Sequence, residues 1–391
     1  MNTSRPAATA FATVVATAVA GTSLATAAVA SAQPGRAGHP TAEAHAVFVQ
    51  TNDEAGNAIL VYRRGADGAL RRVGRVPTGG RGGSEPGAVV DPLASQGSLT
   101  YDGRHRLLYA VNAGSDTLTV FAVHGTRLTR RQVLSTGGHL PVSVGVAREV
   151  VYVLNAGGDG SVSGYRVHGR DLARIPGSTR TLGLGNPAAP PFLSSPSQVA
   201  VTPDARDVVV ATKTHGTLVV FPLGRHGWPS THPVLTPAPD GSVPFALDFD
   251  RGGHLLVAGA AGGALSYAVR DDGSLTALSG FVANGQAATC WTALARGFLF
   301  AANAGSATIS SYADHHGVLS LLAPDGVAAA TDPGPVDLAA SPGGRFLYQL
   351  ATGAGAVDEY RVGPRGALAR IGTVTGLGVD DGHGAEGIAA S

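Results

Sequence analysis

The sequence contains very little cysteine and lysine. Among its 391 residues there is one cysteine, Cys290, and one lysine, Lys213. A single cysteine excludes an internal disulfide and a cysteine metal cluster, so stability must come from a packed core. We expect Cys290 to be a small buried apolar residue. Lys213 follows a strand, and we expect it to be a turn residue.

The chain also lacks an excess of either charge. Its 28 Lys and Arg balance 27 Asp and Glu, and arginine carries almost all of the positive charge. Binding to nucleic acid depends on clustered basic side chains that neutralise phosphates, so the balance predicts no nucleic-acid partner. An HExxH motif, a glycine loop ending in Gly-Lys and a nucleophile elbow are absent as well. Zincin, nucleotide-binding and α/β-hydrolase hypotheses therefore have no support, and we predict no metal and no cofactor.

The N-terminal segment has the composition of a secretory leader. Arg5 precedes an uncharged run rich in Ala, Thr and Val, which ends in small residues at Ala30 and Ala32. The alternative is an uncleaved membrane anchor, but the run has a single leucine and is weakly apolar for a permanent span. We predict a signal peptide over residues 1–32, a flexible linker over residues 33–44 and a folded domain over residues 45–391. The mature protein would then be secreted and have no membrane span.

One short stretch recurs along the rest of the chain. LYAVNAGSDTLTVFAV at 108–123 returns as VYVLNAGGDGSVSGYRV at 151–167 and as LFAANAGSATISSYA at 299–313. Seven copies can be aligned, and neighbouring copies are 44 to 59 residues apart, which is the spacing of β-propeller blades. Each copy carries an aromatic residue at the same place, which we expect to pack between blades: Tyr62, Phe121, Tyr165, Phe221, Tyr267, Tyr312 and Tyr360.

The pattern around each copy predicts the architecture. Alternating apolar residues and Asn, Gly or Asp turns indicate antiparallel strands joined by hairpins, and each copy has room for four strands. The fold class is therefore all-β, a seven-bladed propeller. GAEGIAAS at 384–391 repeats GPVDLAAS at 334–341, yet no blade follows it. We predict that this C-terminal strand joins the N-terminal blade and closes the ring.

Two local features add to this prediction. The Asn-Ala-Gly sequences at Asn112, Asn155 and Asn303 are expected to supply the left-handed backbone conformations of tight hairpins. Long insertions at 78–96 and 182–198 precede the second and fourth copies, where a lid or a partner-binding loop would be sought.

Repeats of the form SPGGRFLYQLATGAGAVDEYRV and TPDARDVVVATKTHGTLVVF resemble those of the lactonase-family propellers over about residues 45–391. That family includes 6-phosphogluconolactonases and carboxymuconate cyclases. The resemblance implies a lactone ring opened or closed at the mouth of the central channel, with a His or carboxylate moving the proton and arginines holding acid groups. Three positions depart from the family pattern. Ser197 stands at its histidine, Cys290 or Trp291 at its acid, and Ala304 at its arginine.

Other residues on the loops that enter the innermost strands can still form a site there. We predict Asp337, Glu386 and His383 as catalytic acid or base groups. The predicted ligand-binding residues are Ser197, Gln198, Trp291, Ser143 and Gln96. The alternative is structural, with the acidic residues in turns, Trp291 plugging the channel and His383 solvated in a loop.

These observations leave two functions open. One is a secreted, monomeric lactonase-like propeller that binds a small lactone or sugar acid at the channel mouth, with or without hydrolysis. The other is a noncatalytic extracellular scaffold that binds a ligand or a protein. Fold alone does not decide between them.

Overall fold

The computed structural model describes residues 45–378 and 384–391. The predicted signal peptide, the predicted linker and the candidate His383 lie outside these residues. Within the described part of the chain no helix is long and apolar enough to cross a membrane.

The described chain forms seven antiparallel sheets arranged as the blades of a propeller, which confirms the predicted fold class. Each blade is a ladder of four strands, and blades 3 and 6 have a divided outermost strand.

The strands of blades 1 to 4 are β1 (Ala46–Gln50), β2 (Ala58–Arg64) and β3 (Leu70–Pro77); β4 (Leu99–Asp102), β5 (Leu107–Asn112), β6 (Thr117–His124) and β7 (Arg127–Ser135); β8 (Pro141–Ala147), β9 (Val150–Asn155), β10 (Ser161–His168), β11 (Asp171–Arg174) and β12 (Arg180–Thr181); β13 (Gln198–Val201), β14 (Asp207–Ala211), β15 (Thr217–Pro222) and β16 (Val234–Pro237).

Blades 5 to 7 contain β17 (Pro244–Phe249), β18 (Leu255–Gly259), β19 (Gly263–Val269) and β20 (Leu275–Ala283); β21 (Thr289–Ala295), β22 (Phe298–Asn303), β23 (Thr308–His315), β24 (Val318–Leu321) and β25 (Ala329–Ala330); β26 (Pro335–Ala340), β27 (Phe346–Ala351), β28 (Ala356–Val362) and β29 (Leu368–Thr375). The last strand is β30 (Ile388–Ala390). Short 3₁₀ turns occur at Ala113–Ser115, Lys213–His215, Arg225–Gly227, Pro342–Gly344, Thr352–Ala354 and Pro364–Gly366.

The C-terminal strand closes the ring, as predicted. β30 is the innermost strand of blade 1 and pairs with β1, with Val47 opposite Ala390 and Val49 opposite Ile388. The backbone N–H of Ser391 donates to the carbonyl of Ala46 over 2.9 Å. The two ends of the described chain are therefore joined in one sheet, which removes two exposed strand edges.

The core lies between neighbouring blades. All seven repeated aromatic residues are buried, which confirms that they are core residues. Several tyrosines also bond to the preceding blade. The hydroxyl of Tyr165 donates to the carbonyl of Ser135 over 2.6 Å, and that of Tyr360 donates to the carbonyl of Ala330 over 2.7 Å. Each of these rings thus combines apolar burial with a hydrogen bond that fixes adjacent blades.

The prediction for the Asn-Ala-Gly sequences was wrong. Asn112 has a φ of −124°, and the left-handed residue of this turn is Asp116, with a φ of 55°. The Asn112 side chain is buried and donates to the hydroxyl of Thr119 over 2.9 Å. The glycine serves close approach, because a Cβ on Gly114 would lie 2.0 Å from the carbonyl oxygen of Gly82.

The two faces of the ring carry different turns. The upper face holds the turns that enter the innermost strands and the turns between second and third strands. The lower face holds the turns between first and second strands and between third and fourth strands.

Removal of residues 388–391 is expected to abolish cooperative unfolding, because β1 would lose its partner and blade 1 its channel wall. Thermal denaturation followed by circular dichroism checks this. The matched control is Ser391→Ala, which keeps β30 and loses only the two hydrogen bonds of the Ser391 hydroxyl, from Ala46 N over 3.1 Å and to the Ala46 carbonyl over 3.4 Å. An unchanged transition in the shortened, monomeric chain would contradict the observed closure.

Candidate functional site

The first insertion covers the upper end of the central channel. We call residues 78–98 the cap. The Ser95 hydroxyl donates to the carbonyl of Val142 over 2.9 Å, and the Gln96 side-chain amide donates to the carbonyl of Thr292 over 3.1 Å. These two carbonyls belong to the innermost strands of blades 3 and 6, so the cap crosses the channel rather than lying beside it.

The second insertion packs against the cap. The backbone N–H of Phe192 donates to the carbonyl of Pro86 over 3.1 Å. The Ser195 hydroxyl donates to Glu85 Oε2 over 2.6 Å, and both side chains are buried. The two long insertions singled out in the sequence therefore meet on the same face of the ring.

A buried ion pair holds the cap to blade 4. Lys213 Nζ lies 3.5 Å from Glu85 Oε2, and the two side chains are 2% and 0% exposed. Lys213 Nζ also donates to the carbonyl of Ala94 over 2.9 Å. Burial lowers the pKa of Lys213 and raises that of Glu85 to about 7. Lys213 is in a turn, as expected, but its side chain is a buried anchor of the cap.

A pair of carboxyl groups lies under the centre of the cap. Asp91 accepts N–H bonds from Leu93 over 3.0 Å, from Ser95 over 3.0 Å and from the Trp291 indole over 3.1 Å. Glu386 is hydrogen-bonded to Asp91 and also accepts from the N–H of Leu93 over 3.3 Å. Burial raises both pKa values, and the Asp91 charge raises that of Glu386 further. The N–H donors favour Asp91 as the ionised partner and Glu386 as the protonated one.

The predicted ligand-binding residues lie in the cap, as Gln96 does, or in the innermost strands and the loops that enter them, and all are buried. The Ser143 hydroxyl donates to the carbonyl of Gln96 over 2.7 Å, and the Ser197 hydroxyl donates to that of Phe245 over 2.7 Å. The Gln198 side chain donates to the carbonyl of Leu247 and accepts from its N–H. These side chains tie neighbouring blades together and to the cap.

Below the cap the channel contains a polar cavity of about 330 Å³. It extends from Gln96 to Tyr101, Phe249 and Ala390 at the lower ends of innermost strands. Two acidic side chains line it, Asp337 and Asp248, and none of the described lining residues is basic. Asp337 is thus the predicted catalytic residue that borders open space.

The two acids of the cavity have separated pKa values. Burial raises the pKa of Asp337 to about 8, and that of Asp248 to about 6. Asp337 accepts the N–H of Leu338 over 3.0 Å, whereas Asp248 Oδ2 accepts the hydroxyl of Thr292 over 2.7 Å. At neutral pH one group holds its proton and the other is ionised, which is the arrangement that general acid–base chemistry uses.

The described residues contain no group of three or more His, Cys, Asp or Glu that could hold a metal ion. The cap carboxyl groups are bonded to backbone amides and to each other instead.

No family model and no curated protein matches the sequence. Solved propellers do match. A putative 6-phosphogluconolactonase from Bacteroides fragilis has a TM-score of 0.67 at 16% identity, and the match covers 90% of this chain and 99% of that one. The periplasmic gluconolactonase of Pseudomonas aeruginosa has a TM-score of 0.64 at 18% identity, covering 88% and 98%. A putative 6-phosphogluconolactonase from Bacteroides uniformis has a TM-score of 0.65 at 17% identity, covering 85% and 97%.

The chain has the fold of the lactonase-family propellers. At these identities the likeness is one of fold, and it does not transfer an activity.

Sequence reasoning missed several residues of the candidate site. Glu85 and Asp91 are far along the chain from Lys213 and Trp291, which they contact. They lie in an insertion that the sequence marked only as a place for a lid or a partner-binding loop. Asp248 is in the innermost strand β17, within the sequence FALDFDRGG. Its direction into the channel follows from strand alternation, which was the available signal.

Replacing Lys213 with Met is expected to destabilise the protein by about 3 kcal/mol at pH 8, because Glu85 would remain buried without its cation. The loss should be smaller at pH 5, where Glu85 is protonated. Denaturant unfolding of the single variant and of the double variant Lys213→Met/Glu85→Gln measures this. The double variant should recover most of the lost free energy of unfolding. A double variant that stays as unstable as Lys213→Met at both pH values would contradict the pairing of Lys213 with Glu85.

Thermal stability is expected to fall between pH 5 and pH 8.5, by on the order of 5 °C. Asp337 and Glu85 have folded pKa values of about 8 and about 7, above their ordinary 3.8 and 4.5. The folded state therefore keeps protons that the unfolded chain loses, and this stability, complete at low pH, disappears as the pH rises through the folded values.

The lowered pKa of Lys213 makes stability rise with pH and so opposes the effect of the carboxyl groups. The variant Asp337→Asn is therefore the control, because it removes the contribution of the Asp337 carboxyl group alone. Its melting temperature should depend less on pH than that of the unchanged protein. A melting temperature that rises from pH 5 to pH 8.5 would show the assignment to be wrong.

Proposed function

We propose that this protein is an exported, monomeric lactonase-type propeller that binds a small neutral lactone in the central channel and hydrolyses it. The composition of residues 1–32 supports export. The observation that carries the proposal is the channel cavity, which brings together two carboxyl groups, Asp337 and Asp248, whose pKa values are raised to different extents by burial.

The cavity suits a small uncharged polar ligand. Its volume of about 330 Å³ is at the lower end of the range for small-molecule sites. Asp337 and Asp248 offer a hydroxyl donor and acceptor oxygens to a polyhydroxylated ring. Because the described lining includes no basic side chain, a phosphorylated or anionic sugar has no counter-charge there. The ligand class is therefore narrowed from a lactone or sugar acid to a neutral lactone.

The proposed reaction divides the proton transfers between the two acids. The Asp248 carboxylate accepts a proton from water as the water oxygen bonds to the lactone carbonyl carbon. The bond between that carbon and the ring oxygen then breaks, and Asp337 donates its proton to the leaving oxygen. The product is an open hydroxy acid, which releases a proton, and the proton held by Asp248 returns to Asp337 through solvent. Glu386, under the cap, has no part in this scheme.

A second candidate, a noncatalytic binding scaffold, is favoured by the apolar surface of the two insertions. Val89 and Leu193 are 74% and 52% exposed. Beside them lies a small apolar pocket of about 130 Å³, whose lining includes Phe192, Cys290 and Trp291. The cap would then present this surface to a partner and leave the channel without a catalytic use.

The test is a pH-stat assay of the purified protein against neutral aldonolactones. We expect acid release above the spontaneous rate, reduced at least about tenfold in Asp337→Asn and in Asp248→Asn. The rate should increase as Asp248 ionises near pH 6 and decrease as Asp337 ionises near pH 8, which gives a bell-shaped profile.

The matched control is Asp272→Asn, which removes a fully exposed carboxylate on the lower face and should leave the rate unchanged. Full activity in Asp337→Asn would overturn the channel mechanism. No release above the spontaneous rate by the unchanged protein would favour the scaffold.

A further inference from the structure

Among the turns of the propeller, arginine is concentrated on the lower face. The upper turns of the described chain carry one arginine, Arg81. The lower turns carry eleven: Arg104, Arg106, Arg148, Arg170, Arg206, Arg225, Arg251, Arg270, Arg296, Arg345 and Arg365. The turn between first and second strands contains an arginine in each of blades 2 to 7. A chain with balanced charges overall thus has most of its turn arginines on one face, where they are interspersed with acidic residues.

Two clefts on this lower face adjoin each other at Arg251. The first, of about 370 Å³, is lined by Arg148, Arg206, Arg251 and Arg270. The second, of about 540 Å³, is lined by Arg251, Arg296, His315 and His316. We call the two clefts together the arginine groove. Arg251 belongs to both clefts, and the basic side chains along the groove come from blades 3, 4, 5 and 6.

Most of these guanidinium groups keep donors free for a ligand. Arg148 donates one bond to the carbonyl of Pro203 over 3.4 Å, and Arg270 donates one to the Thr276 hydroxyl over 3.0 Å. Arg251 is exposed and makes no hydrogen bond or ion pair within the described chain. Each guanidinium has five N–H donors, so several remain for bidentate contacts with a carboxylate. Arg206 is the exception, because it is paired with Asp204 and Asp271.

Acidic side chains alternate with the arginines. Asp204, Asp207 and Asp271 line the first cleft, and Asp250 and Asp314 line the second. A densely charged anion such as polyphosphate would be repelled by these groups. A sugar that carries one carboxylate and several hydroxyls fits better, since the carboxylate meets arginine and the hydroxyls donate to aspartate.

We propose that the arginine groove binds an acidic polysaccharide, a chain of sugars with carboxylates at regular intervals. Two clefts joined at Arg251 suit an extended chain better than a single small anion. Their concave form also suits a chain better than the flat surface of a bilayer. This inference concerns the lower face alone and does not depend on the channel chemistry.

The experiment measures binding of polygalacturonate to the full protein by isothermal titration calorimetry at low and high salt. The groove variant is Arg148→Gln/Arg251→Gln/Arg270→Gln, and we expect its dissociation constant to rise at least about tenfold. The unchanged protein should bind more weakly as salt rises, and the variant should show a shallower salt dependence.

The matched control is Arg72→Gln/Arg75→Gln/Arg130→Gln, which removes the same charge from exposed positions on the outer strands β3 and β7. Its affinity should stay within about twofold, and melting curves establish that both variants are folded. Absence of binding at low salt, or an equal loss in the control variant, would overturn the proposal. Tighter binding of polyphosphate, duplex DNA or phosphatidylglycerol vesicles, or salt-reversible self-association in place of polymer binding, would also overturn it.

Discussion

The pairing of β30 with β1 is the constraint on which the rest of the molecule depends. It closes the ring, and it also delivers the C-terminal segment to the centre of the channel. The N–H of Glu386 bonds to the carbonyl of Gln50 over 2.8 Å, which places its carboxyl beneath the cap. The N–H of Ile388 is 3.4 Å from Asp337 Oδ2. Blades 1 and 7 meet at this point. The same pairing that closes the ring therefore also positions the acidic side chains at the centre of the channel.

The cap explains how so many ionisable groups can be buried. Moving an isolated charge from water into the protein costs several kcal/mol, so buried charges need partners. Lys213 has Glu85, and Asp91 has three N–H donors and Glu386. The cap therefore covers the upper end of the channel with a layer in which these buried polar groups lie beside apolar side chains such as Phe245 and Trp291. Asp337 and Asp248 line the cavity below this layer.

Most of the fold could be predicted from the sequence, whereas much less of the site could. Blades, strand count and closure follow from periodic features that repeat along the chain, such as the aromatic series from Tyr62 to Tyr360. The site depends on contacts between residues that are distant in sequence, such as Glu85 with Lys213, and no periodic pattern encodes them. The error at Asn112 had a different cause. Its side-chain hydrogen bonds, rather than a left-handed backbone, shape that turn.

Charge is distributed by the topology of the propeller. Upper turns carry the buried acids of the cap and almost no arginine, whereas lower turns carry arginines interspersed with aspartates, so the balanced composition conceals two unlike faces. The net charge argued against nucleic acid, yet net charge does not describe a surface whose charges are segregated. The position of the single lysine also bears on which side chains can bind an anion at the surface. Lys213 has its partners inside the protein, and the exposed positive groups are arginines, which are suited to planar anions. A face that presents guanidinium groups between aspartates discriminates by hydrogen-bond geometry as well as by charge, and this is the property that recognition of an acidic sugar requires.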